Sequence, residues 1–201
     1  MRLVLASNNA KKLVELQALF APLGLELVAQ GALGIPEAEE PHVTFVENAL
    51  AKARHAAQAA GGAAIADDSG ISVDALGGAP GVLSARYATL FGRPKGDAEN
   101  NSVLLEKLQG VADRRARFVC ALVAVRSADD PEPLVAMGRW EGEVISELRG
   151  EGGFGYDPLM FIPALGRTVA ELGAEEKNRC SHRALAAVQM QQLMREVWHL
   201  G

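Results

Sequence analysis

The sequence predicts an α/β fold, and three observations predict it. The chain opens as strand, helix, strand: Arg2 to Ala6 is a short apolar run, Asn9 to Leu23 carries Leu13, Leu16, Phe20 and Leu23 at helical spacing, and Leu25 to Ala29 is apolar again. Further apolar strands at Ala63 to Ala66 and Arg117 to Arg126 alternate with helical stretches. Finally, 201 residues, 49% hydrophobic and 22% charged, can fill one real core, and no linker, repeat or composition break interrupts them, so residues 1–201 read as one domain.

The elements follow in order. Pro22 and Gly24 end the first helix. Gly31 to Pro41 is loop and carries Glu37, Glu39 and Glu40. Thr44 and Glu47 stand in capping-box spacing and start a helix whose Val46, Ala49, Leu50, Ala53, Ala57 and Ala60 share a face, up to Gly61-Gly62. The strand Ala63 to Ala66 runs into Asp67-Asp68-Ser69-Gly70, which therefore stands at its carboxyl end. Turns at Gly77-Gly78 and Pro80-Gly81, a helix from Asp97 to Leu108, a strand or hairpin from Leu134 to Leu148, a glycine-rich loop from Gly150 to Pro158 and a helix from Ser181 onward complete the chain.

Composition excludes several functions. A formal net charge of -5, without a basic stripe, argues against a protein that grips nucleic-acid backbone. No apolar run approaches a membrane span, and the one at the N-terminus is too short for a signal-peptide core. Cys120 and Cys180 form no metal-ligand pair and read as reduced thiols of a cytoplasmic protein.

Four segments carry possible chemistry. Ser7-Asn8-Asn9-Ala10-Lys11-Lys12 joins the first strand to the first helix, where backbone amides and a lysine can face a phosphate. It equally fits an asparagine cap with solvated lysines. Asp67 and Asp68 are two carboxylates at a strand end, suited to a hard cation such as Mg²⁺, and alternation along a strand lets them do different jobs. A turn bonded to its own backbone fits as well. Glu39 and Glu40 either complete a metal site or are solvated, and Lys52, opposite most of the helix alanines, reads as a surface lysine. In the loop Gly152 to Pro158, with Phe154, Gly155, Tyr156 and Asp157, three glycines allow close backbone approach, an aromatic ring can stack on a planar ligand and the Asp can hydrogen-bond it, or the loop is a tight turn with both rings in the core. Lys177, Ser181, His182 and Arg183 gather donors at a helix start.

Taken together and in this order, these segments resemble one family over nearly the whole chain, the inosine/xanthosine triphosphate pyrophosphatases. The resemblance rests on Ser7 to Glu15, Thr44 to Ala49 with Lys52-Ala53, Ala66-Asp67-Asp68-Ser69-Gly70 continuing to Ser84-Ala85-Arg86-Tyr87, Gly153 to Pro158, and Lys177 with Ser181-His182-Arg183. It implies a long mixed sheet flanked by helices, two lobes with a central substrate cleft, and a homodimer. It also implies Mg²⁺-dependent hydrolysis of ITP, dITP or XTP between the α and β phosphorus atoms, giving monophosphate and pyrophosphate. Asp68 matches the general base, Glu39 and Asp68 the metal ligands, with Asp67 a further candidate for the cation, and Glu15 an acidic position near the metal. Ser7 to Lys12, Lys52 and Lys177 would face the triphosphate, and Ser69, Phe154 to Asp157, His182 and Arg183 the nucleoside.

One position departs from the pattern: many family members have glycine where this chain has Asn8, a residue that tolerates left-handed backbone. Pyrophosphatases for modified pyrimidines or standard nucleotides, and a non-catalytic nucleotide-binding module, are the competing readings. In each, an acidic chain must build a local positive site for a substrate carrying roughly three to four negative charges.

Overall fold

Seven strands form one mixed sheet in the order β2-β1-β3-β4-β5-β6-β7. The strands are β1 (Arg2–Leu5), β2 (Glu26–Ala29), β3 (Ala64–Val73), β4 (Arg115–Val125), β5 (Leu134–Val144), β6 (Met160–Ile162) and β7 (Arg167–Thr168). The helices are α1 (Ala10–Phe20), α2 (Phe45–Ala60), α3 (Asp97–Lys107), α4 (Ala174–Cys180) and α5 (His182–Val197). This computed structural model describes residues 1–200. Strand β1 pairs in parallel with β2 and β3, as a strand-helix-strand opening requires, while β6 pairs antiparallel with both β5 and β7. The α/β reading is therefore correct.

The chain gathers in two compact units, and the boundaries fall inside β3, β4, β5 and α4. The first unit comprises Met1–Asp68, Cys120–Gly138 and the chain from Asn178 onward. Its sheet is buried on both faces, which is why β1 and β4 read as continuous apolar runs. On one face Leu3, Leu5, Ile65 and Leu122 pack with Leu16 and Phe20 of α1 and Ala186, Met190 and Met194 of α5. On the other, Val4, Ala64, Ala66 and Val123 pack with Ala49, Ala53, Ala56 and Ala57 of α2. The small alanine side chains let α2 lie close to the sheet.

The second unit comprises Ser69–Val119 and Arg139–Lys177. Between β3 and α3 it carries a kinked 3-10 segment, Gly81–Phe91, whose Tyr87 and Ala88 pack on Val103 of α3.

One expectation is corrected here. Strand β3 does not stop before Asp67 but continues through Asp67-Asp68-Ser69-Gly70 to Val73. The buried Ile71 and Val73 keep the two-residue alternation going, and the Ile71 amide is held by the Ser84 hydroxyl at 3.0 Å. Neither a strand end nor a local turn describes the aspartate pair.

Candidate active site

Asp67 and Asp68 point to opposite sides of β3. Asp67 is fully buried, with Oδ1 accepting from Lys12 Nζ at 2.6 Å and Oδ2 accepting from Arg183 Nε at 2.7 Å and from the Cys120 thiol at 3.3 Å. Arg183, itself buried, also donates to Glu15 at 2.5 Å. Burial alone would raise the pKa of Asp67, but Arg183 and Lys12 outweigh it and hold the carboxyl well below its ordinary range. Both oxygens of Asp67 are thus committed to protein donors. It orders Lys12 and Arg183, and Glu15 completes the same ion network.

Asp68 has the opposite environment. Its Oδ1 accepts from Lys52 Nζ at 2.7 Å, and Lys52 also donates to Glu40 Oε1 at 2.7 Å and to the carbonyl oxygen of Asp67 at 3.0 Å. All three ammonium protons are therefore used, so Lys52 is not a surface lysine. The helical wheel of α2 could not show this, because its partners come from the loop before the helix and from β3. Burial lowers the pKa of Lys52, yet Asp68 and Glu40 more than reverse it. For Asp68, burial raises the pKa, Lys52 opposes that, and Glu40 adds to the rise. Oδ2 of Asp68 is buried and has no hydrogen-bond partner among the described residues. A buried acceptor oxygen with raised basicity and no protein donor is suited to a water proton or a cation.

That oxygen is also the observation on which Mg²⁺ can be tested. Asp68 and Glu40 share one lysine, so two hard oxygen donors stand in one neighbourhood. No group of three or more His, Cys, Asp or Glu forms a ready cage among the described residues. Such a sparse donor set fits Mg²⁺, which keeps waters and takes substrate phosphate oxygens as ligands. Glu39 is solvent-exposed, whereas its neighbour Glu40 is half-buried.

The polar loop before α1 is capped as the asparagine reading expected: Asn9 Oδ1 accepts from the amides of Lys11 and Lys12 at 3.0 and 3.1 Å. The Ser7 hydroxyl accepts from the Asn9 amide at 3.1 Å. Asn8, Asn9, Ala10 and Lys11 are exposed, and Asn8 donates to Glu37 at 3.2 Å. His199 is the only described non-glycine residue with a positive φ, so Asn8 fills its position without needing left-handed backbone.

In the second unit the aromatic loop divides its two rings. Tyr156 is core, its hydroxyl donating to the Ser84 carbonyl at 2.8 Å, while Phe154 is half-buried. Asp157 Oδ2 accepts from the Phe154 amide at 3.0 Å and from Lys177 Nζ at 2.9 Å, and Lys177 lies 4.7 Å from the centre of the Phe154 ring. Lys177, on α4, is thus bound to the aromatic loop, and Ser69 is half-buried on β3. In the first unit His182 is buried at the first residue of α5, behind a Ser181 cap that accepts from Ala184 N at 3.1 Å.

Sequence reasoning missed the part played by Glu40. The only available signal was its position beside Glu39 in an acidic loop, which does not say which carboxylate turns inward.

Known proteins give this arrangement a context. A model of the Ham1 family matches residues 3–193. The dITP/XTP pyrophosphatase of Methylibium petroleiphilum is 70% identical, with 98% of this chain and 99% of that protein covered. That of Leptothrix cholodnii is 69% identical over the full length of both. Among solved structures, a HAM1 protein from Coxiella burnetii superposes with a TM-score of 0.89 at 45% identity, covering 98% of this chain and 100% of the other. With the family match running through nearly every element described above, the chain belongs to the Ham1 family.

Proposed function

We propose that this chain, as one pyrophosphatase domain, hydrolyses ITP, dITP and XTP to the nucleoside monophosphate and pyrophosphate, removing non-standard purines from the nucleotide pool. The observation that carries the reading is the buried, partnerless Oδ2 of Asp68, an oxygen of raised basicity beside a fixed ammonium. The relatives at 70% and 69% identity are dITP/XTP pyrophosphatases, which supports the reaction class.

Asp68 is the general base. Its Oδ2 takes a proton from the water that attacks the α-phosphorus; the bond from that phosphorus to the α,β-bridging oxygen breaks, and pyrophosphate leaves with the bond pair. Lys52 holds Asp68 in place and adds positive charge close to the phosphates. Ser7, Asn8, Asn9, Ala10, Lys11 and Lys12 face the triphosphate, with Lys12 pre-aimed by Asp67. Asp68 with Glu39 or Glu40 would hold Mg²⁺. When bound, the ion supplies neutralisation of charge on the phosphate oxygens.

Phe154 to Asp157, with Ser69 and Lys177, holds the nucleoside, whereas the buried Arg183 is committed to Asp67 and Glu15. The Phe154 ring is the stacking surface, because the hydroxyl of Tyr156 is already committed to the core. Donors aimed at a 6-oxo group are left unpaired against the 6-amino group of adenine, which disfavours ATP. We place the protein in the cytoplasm as a homodimer; no described helix is long and apolar enough to cross a membrane.

The test is a substrate panel with pyrophosphate readout. Inosine, xanthosine, adenosine and thymidine triphosphates are compared with and without Mg²⁺. Preference for the first two supports the reading. Equal rates on all four, or tight binding without hydrolysis, would replace it with a general pyrophosphatase or a binding module.

A further inference from the structure

Asn100 and Asn101 are consecutive, both buried, and both in the N-terminal half of α3. Asparagine is a poor helix former and is seldom buried without partners, so two in a row call for an explanation outside the helix. Each bridges to a different backbone segment. Asn100 accepts from the Ala88 amide at 2.8 Å and donates to the Ala85 carbonyl at 3.3 Å, gripping the 3-10 segment. Asn101 donates to the carbonyl of Gly155 at 2.9 Å. One turn earlier on the same helix face, Asp97 Oδ2 accepts from the Gly155 amide at 2.8 Å.

Gly155 has φ +60°, a left-handed conformation that leaves its N–H and C=O outside any ladder. Helix α3 supplies a partner to both groups. The orientation of the Asn101 amide follows from the same contact, since the flipped form would set its oxygen against the Gly155 carbonyl. Tyr156, next in the chain, ties the loop to Ser84, whose hydroxyl also receives the Ile71 amide of β3. The loop is therefore held from α3, from the 3-10 segment and, through Ser84, from β3.

We propose that Asp97 and Asn101 are positioning residues for nucleobase recognition, fixing the Phe154 to Asp157 loop by holding both polar backbone groups of Gly155. The inference rests on the reading of that loop as the base site and adds two residues that never touch the substrate. A preset loop presents Phe154 and Asp157 without an ordering cost at binding. The phosphate contacts do not depend on it.

The experiment measures ITP hydrolysis by the full chain, with inorganic tripolyphosphate as a base-free competitive inhibitor. Losing one charge-assisted or buried hydrogen bond should raise the KM for ITP about tenfold in Asp97→Ala and in Asn101→Ala, with kcat reduced less than about threefold. The inhibition constant for tripolyphosphate stays unchanged. Asp97→Asn keeps an acceptor for the Gly155 amide and should return KM to within about twofold of wild type. Unaltered KM in both alanine variants, or inhibition by tripolyphosphate weakening in step with KM, overturns the proposal. Amide hydrogen exchange at Gly155 gives a readout independent of substrate: faster exchange in both alanine variants supports the clamp, and unchanged exchange overturns it. A wild-type chain that does not cleave ITP overturns the functional reading instead, and is distinguishable because the exchange result still decides the clamp.

Discussion

Asp67 and Asp68 are adjacent on β3, yet their carboxyl groups are pulled in opposite directions: Arg183 and Lys12 overcome burial and hold Asp67 well below its ordinary pKa, while burial wins at Asp68 and raises it. Alternation along a strand buried on both faces makes this possible, because one residue meets α1 and α5 and the next meets α2. One aspartate is thereby fixed as a counter-ion, and the other keeps a buried carboxylate oxygen of raised basicity.

Asp68→Asn should lower kcat for ITP by about 10² to 10⁴-fold, the range expected for loss of a general base, while the fold and nucleotide binding persist. Turnover near that of wild type would remove Asp68 from the base role. The pH profile gives a second check. Asp68 must be ionised to accept a proton, and its pKa is raised, so the acid limb of kcat/KM lies above the ordinary aspartate value of about 3.9. Lys52 favours the ionised form. Lys52→Met should therefore move that limb upward by about one pH unit or more, and a downward movement would contradict the pairing.

Asp67 predicts a stability effect instead. Its pKa is depressed in the folded chain, so its contribution is present above the unfolded value near 3.9 and is lost as pH falls through the folded value. Asp67→Ala leaves Arg183 and Lys12 without their shared partner and should destabilise by about 3–5 kcal/mol at neutral pH. Denaturant titrations of the wild type and variant at pH 7 and pH 3 measure both effects. The gap between the two proteins should narrow in acid; a gap that widens would show that Asp67 is not held ionised.

Much of this was legible in the sequence, for local reasons. Thr44 and Glu47 announced the start of α2 because the cap is made within four residues: the Thr44 hydroxyl accepts from the Glu47 amide at 3.2 Å. Asn9 announced α1 in the same way. Lys52 was misread because its surroundings are tertiary, with Glu40 and Asp68 supplied by other elements. Strand β3 was cut short because Asp-Asp-Ser-Gly has turn composition, whereas its continuation to Val73 is set by its place between β1 and β4 in the sheet, a tertiary relationship. Strands β6 and β7, three and two residues long, are too short to display a period at all.

Lys12→Ala tests the phosphate loop. Lys12 Nζ is anchored on Asp67 Oδ1, and its side chain stays 16% exposed, so it is held in place without being sealed off. Removing it should raise KM for nucleoside triphosphates by about tenfold, the loss of one charge-assisted hydrogen bond, and leave the affinity for a base-only analogue unchanged. Parallel titrations of ITP and inosine decide it. Equal weakening of both would place Lys12 away from the phosphates.

Gly138 provides the last test, on the seating of α5. A side-chain carbon at this position of β5 would overlap the His182 carbonyl oxygen and come within 2.7 Å of the Ala186 amide nitrogen, so only glycine lets the strand pass this close to the first turns of the helix. The obstruction is backbone and cannot rotate away. Gly138→Ala should therefore push α5 from the sheet, costing about 1–3 kcal/mol by the usual scale for overpacking. It should also disturb Arg183, which reaches Asp67 from the second residue of that helix. Since Asp67 in turn aims Lys12, the variant should lose ITP turnover as well as melting temperature. A substitution nearer the start of β5, such as Val135→Ala at an exposed position, should lower neither. A Gly138→Ala protein with wild-type stability and turnover would show that the close approach of β5 to α5 does not position the ion network.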